Sequence, residues 1–231
     1  MDVTLDLVGE NVTLLPERAL YRADRRTLIV ADPHWGKGAA FRAGAVPIPG
    51  ADLDADLERL SRAIDRTSAT RLVVLGDLLH AREGRQRSVL DQIEDWLARH
   101  PGLERLLVRG NHDEKAGDPP TAWGFEVVDE PFVDGAFVYR HFPEPSDAGY
   151  VLAGHLHPGA RLFGRGDQSL RLPCFHAGQR VMVLPAFGSF TGLATVKPKP
   201  GDGLHVIADG EVIPILHREN REAGTVRQPL G

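Results

Sequence analysis

Seven side chains that could bind divalent metal ions occur in a fixed order along the chain, each after a short apolar run. They are carboxylates, imidazoles and one carboxamide: Asp32, His34, Asp77, Asn111, His141, His155 and His157. Oxygen and nitrogen donors of this kind suit first-row metals. Two such ions about 3.5–4 Å apart are a common device for cleaving phosphate esters. The order therefore predicts a two-metal site for phosphoester hydrolysis.

Taken singly, most of these fragments have a plain structural alternative. Asp32-Pro33-His34 and Gly76-Asp77 also occur in ordinary turns. Gly110-Asn111-His112 fits an Asn-capped turn with a surface histidine equally well. Gly154-His155-Leu156-His157 favours a metal, because two buried histidines so close together would each need a separate partner. The combination, rather than any one fragment, carries the metal-site prediction.

One further nitrogen ligand is needed between Asn111 and His155 to complete a second ion. If His112 faces the substrate, His141 is the histidine that remains in that interval. We expect His112 to stabilise a phosphoryl oxygen or to protonate the leaving oxygen, a role worth roughly 10²–10⁴-fold in rate. The other histidines are predicted by default to be structural or at the surface: His80, His100, His176, His205 and His217.

Alternating strands and helices must bring these side chains together. Buried-strand runs and helical periodicity alternate through the first half of the chain. The predicted elements are strand 28–31, helix 50–66, strand 72–75, a helix from Val89 to Leu97, and strand 106–108. This order implies a parallel βαβαβ core with the ligands at the carboxyl ends of its strands, where open α/β sheets place their sites.

The rest of the chain reads as short strands separated by turn residues. An opening hairpin is predicted at 3–8 and 11–15. Further strands are predicted at 134–141, 149–153, 158–163, 169–175, 181–184 and 204–215, with an exposed loop at 197–201. The expected fold is α/β, with two mixed sheets packed face to face and helices outside.

Composition describes an ordinary globular protein. The chain has 231 residues, 42% hydrophobic and 26% charged, with a net charge of −5, which suits one domain. We predict that domain over 1–218 and a flexible tail over 219–231. The single cysteine, Cys174, fits a reducing cytosol, and neither a signal peptide nor a membrane span is evident. The prediction is a cytoplasmic protein.

The seven residues together resemble the calcineurin-like metallophosphoesterase superfamily, with D-x-H, G-D, G-N-H-D, H and G-H-x-H in that order. The resemblance implies a four-layer α/β/β/α sandwich. It also implies that Asp77 bridges two ions, that a metal-bridging hydroxide attacks phosphorus in line, and that each ion has its own ligands. One ion would take Asp32, His34, Asp77 and His157, and the other Asp77, Asn111, His141 and His155.

Further stretches are similar to the bacterial ligase-associated DNA damage response endonucleases. They are 14–20, 34–37, 76–82, 171–175 and 184–192. This similarity implies manganese, with iron or zinc as alternatives, a single-stranded DNA substrate, a role in DNA repair, and a functional link to a DNA ligase and a helicase. A homodimer is compatible with it. The chain departs from the frequent G-D-x-x-D pattern, because His80 occupies the place of the second Asp. We predict that His80 either lies beside the metal ligands or faces the substrate.

A cationic rim would suit a phosphodiester substrate. Lys37, Arg42 and Arg82 follow the metal-ligand strands, as do Arg85 and Arg87, and aromatic faces could come from Trp35, Phe41 and Phe190. Each arginine alone could be an ordinary solvated residue. A phosphomonoesterase, a nucleotide phosphodiesterase on small substrates, and a metal-free binding scaffold are the alternatives to a DNA endonuclease.

Overall fold

The computed structural model describes residues 1–45, 53–163 and 169–215. The predicted domain boundary at 218, the predicted tail over 219–231, and His217 lie outside these ranges. Two mixed β-sheets pack face to face, which confirms the predicted α/β architecture. No described helix is long and apolar enough to cross a membrane.

The first sheet contains the predicted hairpin and the predicted parallel core. Its strands are β1 (Val3–Leu7), β2 (Glu10–Leu15), β3 (Ala19–Arg22), β4 (Thr27–Ala31), β5 (Arg71–Leu75), β6 (Glu104–Val108) and β7 (Phe125–Val128). They pair in chain order, antiparallel from β1 to β4 and parallel from β4 to β7. The described α-helices are α1 (Lys37–Ala43), α2 (Leu53–Thr67), α3 (Arg87–Arg99) and α4 (Asn111–Ala116), and two short 3-10 helices lie at Arg82–Gly84 and Thr121–Trp123, all before β7.

The second sheet follows β7, and the described residues of this part contain no α-helix. Its strands are β8 (Phe132–Asp134), β9 (Phe137–Tyr139), β10 (Tyr150–Ala153), β11 (Pro158–Phe163), β12 (Ser169–Ala177), β13 (Val181–Val183), β14 (Ala194–Thr195), β15 (Gly203–Ala208) and β16 (Glu211–Ile215). Parallel pairing of β9, β10 and β13 forms its centre.

Alternate residues of the parallel strands supply two hydrophobic cores, because successive side chains of a strand point to opposite faces. Val30 and Val74 face the layer of α2 and α3, where Trp96 is fully buried. Ile29 and Val73 face the second sheet. Burial on both faces explains why these strands are continuous apolar runs. It also holds the strand ends of the two sheets in a fixed relationship.

Several short elements differ from the prediction. The predicted strand 134–141 begins at the last residue of β8, turns at Gly135 and contains β9, whereas 204–215 is a hairpin of β15 and β16 that turns at Asp209-Gly210. The prediction did not include β3, β7, α1 or α4. These elements lack both the continuous apolar run that marks β4, β5 and β6 and the several turns of helical periodicity that mark α2 and α3.

Candidate metal centre

The seven candidate ligands all follow strand ends that meet at one edge of the two-sheet sandwich. Asp32, Asp77 and Asn111 follow β4, β5 and β6 of the first sheet. His34 also follows β4, whereas the other three histidines come from the second sheet, His141 after β9, and His155 and His157 after β10. Neither sheet could supply the full set alone. The site therefore exists only where the carboxyl ends of both parallel cores face each other.

Five of these residues have a left-handed backbone, which is uncommon for residues other than glycine. The φ angles are +51° for Asp32, +49° for His34, +55° for Asp77, +69° for His155 and +48° for His157. In an extended strand, residues two apart point the same way but lie too far apart for one ion. The left-handed turns after the strands bring each pair together, and such strain is often found at functional sites.

Two of the glycines beside these residues have no room for a side chain. Gly76 has φ +76°, and a Cβ atom there would overlap the ring of His141. A Cβ on Gly154 would lie 2.7 Å from Oδ2 of Asp32 and 2.9 Å from the Cβ of Ala31. The glycines before Asp77 and His155 are therefore required by close approach of one ligand loop to another.

A first cluster contains Asp32, His34, Asp77 and His157. The Nε2 atoms of His34 and His157 are 3.3 Å apart. Oδ2 of Asp77 lies 3.8 Å from Nε2 of His34, and Oδ2 of Asp32 lies 3.8 Å from Nε2 of His157. Ligands bound at about 2.0–2.2 Å to one ion are separated from each other by about 3–3.6 Å. The cluster is close to that spacing.

A second cluster contains Asp77, Asn111, His141 and His155. Nε2 of His141 lies 3.0 Å from Oδ1 of Asn111, 3.0 Å from Nδ1 of His155 and 3.6 Å from Oδ1 of Asp77. The two carboxylate oxygens of Asp77 thus face different clusters. This geometry is what a carboxylate shared between two ions requires.

The hydrogen bonds around the clusters leave ligand atoms available. Oδ1 of Asp32 is fully buried and has no hydrogen-bond partner among the described residues. Nδ1 of His141 donates to the carbonyl oxygen of Leu75 at 3.2 Å, which leaves Nε2 as the coordinating atom. Unpaired buried carboxylate oxygen is costly unless a cation binds it. The residues present therefore fit divalent cations.

Burial also favours the neutral, metal-binding form of His34 and His157. Loss of solvation lowers the pKa of His157 to about 4 and moves the pKa of His34 further in the same direction. Burial raises the pKa of Asp32 well above its usual value, and the charge of Asp77 adds to this. Bound cations would reverse the carboxylate effect, because they favour the ionised form.

Two carboxylates missed as functional residues hold the ligand loops in place. Asp113 is buried, and its oxygens accept hydrogen bonds from the backbone amides of Gly110 (3.0 Å) and Leu79 (3.2 Å). It thereby joins the loops after β5 and β6. Its place directly after Asn111-His112 was a usable signal.

Glu130 has the same kind of role in the second sheet. Its Oε2 atom accepts hydrogen bonds from the backbone amides of His141 (2.6 Å) and Phe142 (3.0 Å). A glutamate eleven residues before the histidine gives no recognisable sequence signal. The contact depends on the hairpin of β8 and β9, which returns the chain past the loop that contains Glu130.

His112 lies beside the first cluster and is partly exposed. Its backbone amide donates to Oδ1 of Asp77 at 2.8 Å, and its Nδ1 donates to the carbonyl oxygen of His80 at 2.7 Å. The ring centroids of His112 and His34 are 4.9 Å apart. His80 stacks on His112, and desolvation lowers its pKa to about 4. His112 and His80 are therefore both next to a candidate metal ligand.

The predicted cationic residues do not all reach the same cleft. Lys37 and Arg42 line a cleft beside His34. Arg82 is exposed, and its Nε donates to the carbonyl oxygen of Lys115. Arg85 donates instead to the last carbonyls of α4, and Arg87 forms ion pairs with acidic residues of α3. The predicted rim is thus reduced to Lys37 and Arg42, whereas Arg82 contacts the end of α4.

The predicted stacking role of Trp35 is wrong. Its side chain is only 2% exposed and packs edge-on against Trp96 and Trp123 in the helix-side core. Phe41 and Phe190 remain partly exposed and contact each other at 5.9 Å between ring centroids. Nζ of Lys37 lies 5.9 Å from the ring centroid of Phe190.

Comparison with known proteins agrees with this geometry. A sequence model of the calcineurin-like phosphoesterases matches residues 25–179, which contain all seven candidate ligands. The chain is similar to the crystal structure of Pseudomonas putida nuclease MPE, with 40% identity and a TM-score of 0.83 over 93% of this chain and 100% of that chain. YfcE, a phosphoesterase from E. coli, gives 16% identity and a TM-score of 0.40 over 81% of this chain and 96% of that chain. No curated protein sequence matches.

Proposed function

Because this chain belongs to the calcineurin-like phosphoesterase family and is a metal-dependent hydrolase, we propose that it is a nuclease that cleaves phosphodiester bonds of single-stranded DNA. The observation that carries the proposal is the 40% identity, over 93% of the chain, to a protein described as a nuclease. The contact geometry of the seven ligands supports the hydrolytic part of the proposal independently.

Two divalent ions are the proposed cofactors. Asp32, His34 and His157 would hold one, Asn111, His141 and His155 the other, and Asp77 both. Such a pair, when bound, stabilises charge on a phosphoryl group and lowers the pKa of water. Manganese suits the mixture of oxygen and imidazole ligands, with iron and zinc as alternatives.

His112 is proposed to act on the phosphoester itself. With Nδ1 donating to the carbonyl oxygen of His80, only Nε2 of His112 is left to face a substrate. In the imidazolium form, with a second proton on Nε2, His112 could stabilise a phosphoryl oxygen or give that proton to the leaving oxygen and become neutral. Proton transfer from a positioned histidine contributes roughly 10²–10⁴-fold in rate. The hydrogen bond from the His112 amide to Asp77 sets the ring at a fixed distance from the metal ligands.

Lys37 and Arg42 are proposed to bind the DNA backbone. Both line the cleft next to His34, and the ammonium group of Lys37 interacts electrostatically with the carboxylates of Asp77 and Asp32. Contacts with phosphates on both sides of the cleaved bond would favour a diester within a strand over a small monoester. A place in DNA repair, with a DNA ligase and a helicase acting on the same strands, rests on the family resemblance alone.

The decisive experiment measures cleavage of linear and circular single-stranded DNA, and of duplex DNA, with and without added Mn²⁺. We expect metal-dependent cutting of both single-stranded forms. Cutting of the circular strand would identify an endonuclease, because a circle has no end for an exonuclease. A small aryl phosphate monoester serves as the comparison substrate. Hydrolysis of the monoester with no cleavage of any DNA would refute the nuclease proposal and leave a phosphomonoesterase.

A further inference from the structure

His80 is held between two aromatic rings at the edge of the first cluster. Its imidazole stacks on Phe41 with 5.9 Å between centroids and 20° between planes, and on His112 with 4.8 Å and 21°. Both faces of the ring are therefore covered. Because a sandwiched ring cannot tilt without losing both contacts, only its nitrogen edges are free to make polar contacts.

One of those edges faces a candidate metal ligand. Nδ1 of His80 lies 3.4 Å from Nδ1 of His34. The other nitrogen of His34, Nε2, points to His157 and Asp77. If Nε2 binds an ion, Nδ1 of His34 carries the proton, and a nearby acceptor fixes the tautomer and the ring plane. Among the described residues, His80 provides the polar contact to Nδ1 of His34.

The backbone of His80 also orients His112. The carbonyl oxygen of His80 accepts the hydrogen bond from Nδ1 of His112 at 2.7 Å. Its amide donates to the carbonyl oxygen of Trp35 at 3.1 Å, which ties the loop after β5 to the loop after β4. One residue is thus in contact with a metal ligand through its side chain and with His112 through its backbone.

We propose that His80 is a positioning residue, whose Nδ1 accepts the Nδ1 proton of His34 and thereby directs Nε2 of His34 to the metal. This inference rests on the metal site of the proposed function and adds a role for a residue outside the seven ligands. Of the two places that the sequence suggests for His80, beside the metals or facing the substrate, this role corresponds to the first. In this role a neutral imidazole stands where many relatives have a carboxylate, so the contact adds no charge to the site.

Three substitutions of His80 distinguish the effect of its Nδ1 acceptor from the effect of its aromatic ring. His80→Phe keeps the aromatic sandwich and removes the acceptor. His80→Asn places an amide oxygen close to the position of Nδ1, whereas His80→Gln places it nearer to Nε2. The backbone contact with His112 is common to all three. Each variant and the wild type would be freed of metal with a chelator and titrated with Mn²⁺ by calorimetry.

We expect His80→Phe to weaken one Mn²⁺-binding step by about 10–100-fold, the usual effect of removing a partner of a metal-ligating histidine. His80→Asn should recover most of the affinity, His80→Gln should not, and thermal unfolding of the metal-free His80→Phe protein should match that of the wild type. Wild-type affinity in His80→Phe, or equal loss in Asn and Gln, would overturn the role of His80 alone. Absence of Mn²⁺ binding by the wild type would overturn both this role and the proposed function.

Discussion

The backbone amide of His155 donates a hydrogen bond to Oδ2 of Asp32 at 2.8 Å, although the two residues are 123 positions apart. Asp32 follows a strand of the first sheet and His155 a strand of the second. The contact occupies one oxygen of Asp32 and leaves the other without a hydrogen-bond partner among the described residues. The same carboxylate thus joins the two sheets and remains open to a cation.

Replacing Asp32 with Asn should separate metal binding from folding. The folded pKa of Asp32 lies well above its usual value of 3.8, so its ionised form opposes folding of the metal-free protein as pH rises above that value. An amide can still accept from His155. We expect the metal-free variant to melt at or above the wild-type temperature at pH 7.

The wild type should gain about 5–10 °C in melting temperature at a hundredfold excess of Mn²⁺ over Kd, since that excess contributes about 2.7 kcal/mol. Asp32→Asn should lose this gain. Differential scanning fluorimetry with chelator and with Mn²⁺ provides both measurements. A full metal-induced shift in the variant would show that Asp32 is not a ligand.

Replacing Gly76 with Ala should destabilise the protein more than the same change at Gly210. Both glycines have a positive φ, but a Cβ at Gly76 would overlap His141, whereas one at Gly210 meets nothing within 4 Å. The backbone cost of about 1–2 kcal/mol is common to both, and overlap in a packed site adds about 1–3 kcal/mol. Urea unfolding of the metal-free proteins measures the difference, and equal free energies of unfolding would contradict the steric argument.

Removing the Glu130 side chain should weaken the second cluster. Glu130→Ala leaves the amides of His141 and Phe142 without their acceptor, and we expect about a tenfold loss of metal affinity, as for other groups that support a ligand. Glu130→Gln retains an acceptor and should lose little. The neighbouring Asp129→Ala, at an 82% exposed side chain, is the control. Calorimetric titration with Mn²⁺ measures the metal affinity of each variant. Equal affinities for Glu130→Ala and this control would show that Glu130 does not support the metal site.

His112 and Asp77 should differ in what their loss abolishes. His112→Ala is expected to keep bound metal and lose about 10²–10⁴-fold in turnover. Asp77→Ala removes the carboxylate that faces both clusters, and it should lose metal as well as activity. Metal analysis of the purified proteins, paired with the single-stranded DNA assay, distinguishes the two outcomes. Full activity in His112→Ala would exclude it from the reaction.

Cys174 should be unreactive in the folded protein. Its side chain is fully buried, and burial raises the pKa of the thiol from 9.0 to about 12. Because the folded pKa is raised, this thiol favours the folded state below pH 9, and the contribution is lost as pH rises towards 12. We expect no reaction with a thiol-specific disulfide reagent at pH 8 without denaturant and one equivalent in urea. Rapid labelling of the native protein would show that the β12 core opens.

Much of the fold was predictable because its strands are long enough to show a pattern. The apolar runs that became β4, β5 and β6, and the periodic helices α2 and α3, were placed within a few residues. The hairpin turns at Gly135 and Asp209-Gly210 were missed although each contains an Asp-Gly pair, which is a usable hairpin signal. Burial of Trp35 was missed, since a residue after a strand can face the core or the solvent.

The sequence by itself determined which side chains could bind metal and which strand end each one follows. Residue type sets donor chemistry, and the carboxyl ends of parallel strands meet at one edge whatever the details of the fold. Only the tertiary structure decided the left-handed turns that bring Asp32 and His34 together, the oxygen of Asp77 that faces each cluster, and the support from Glu130. These features depend on the distance and angle between the two sheets. The residues that face each other across the sheets are far apart in the chain, so no local sequence pattern encodes this geometry.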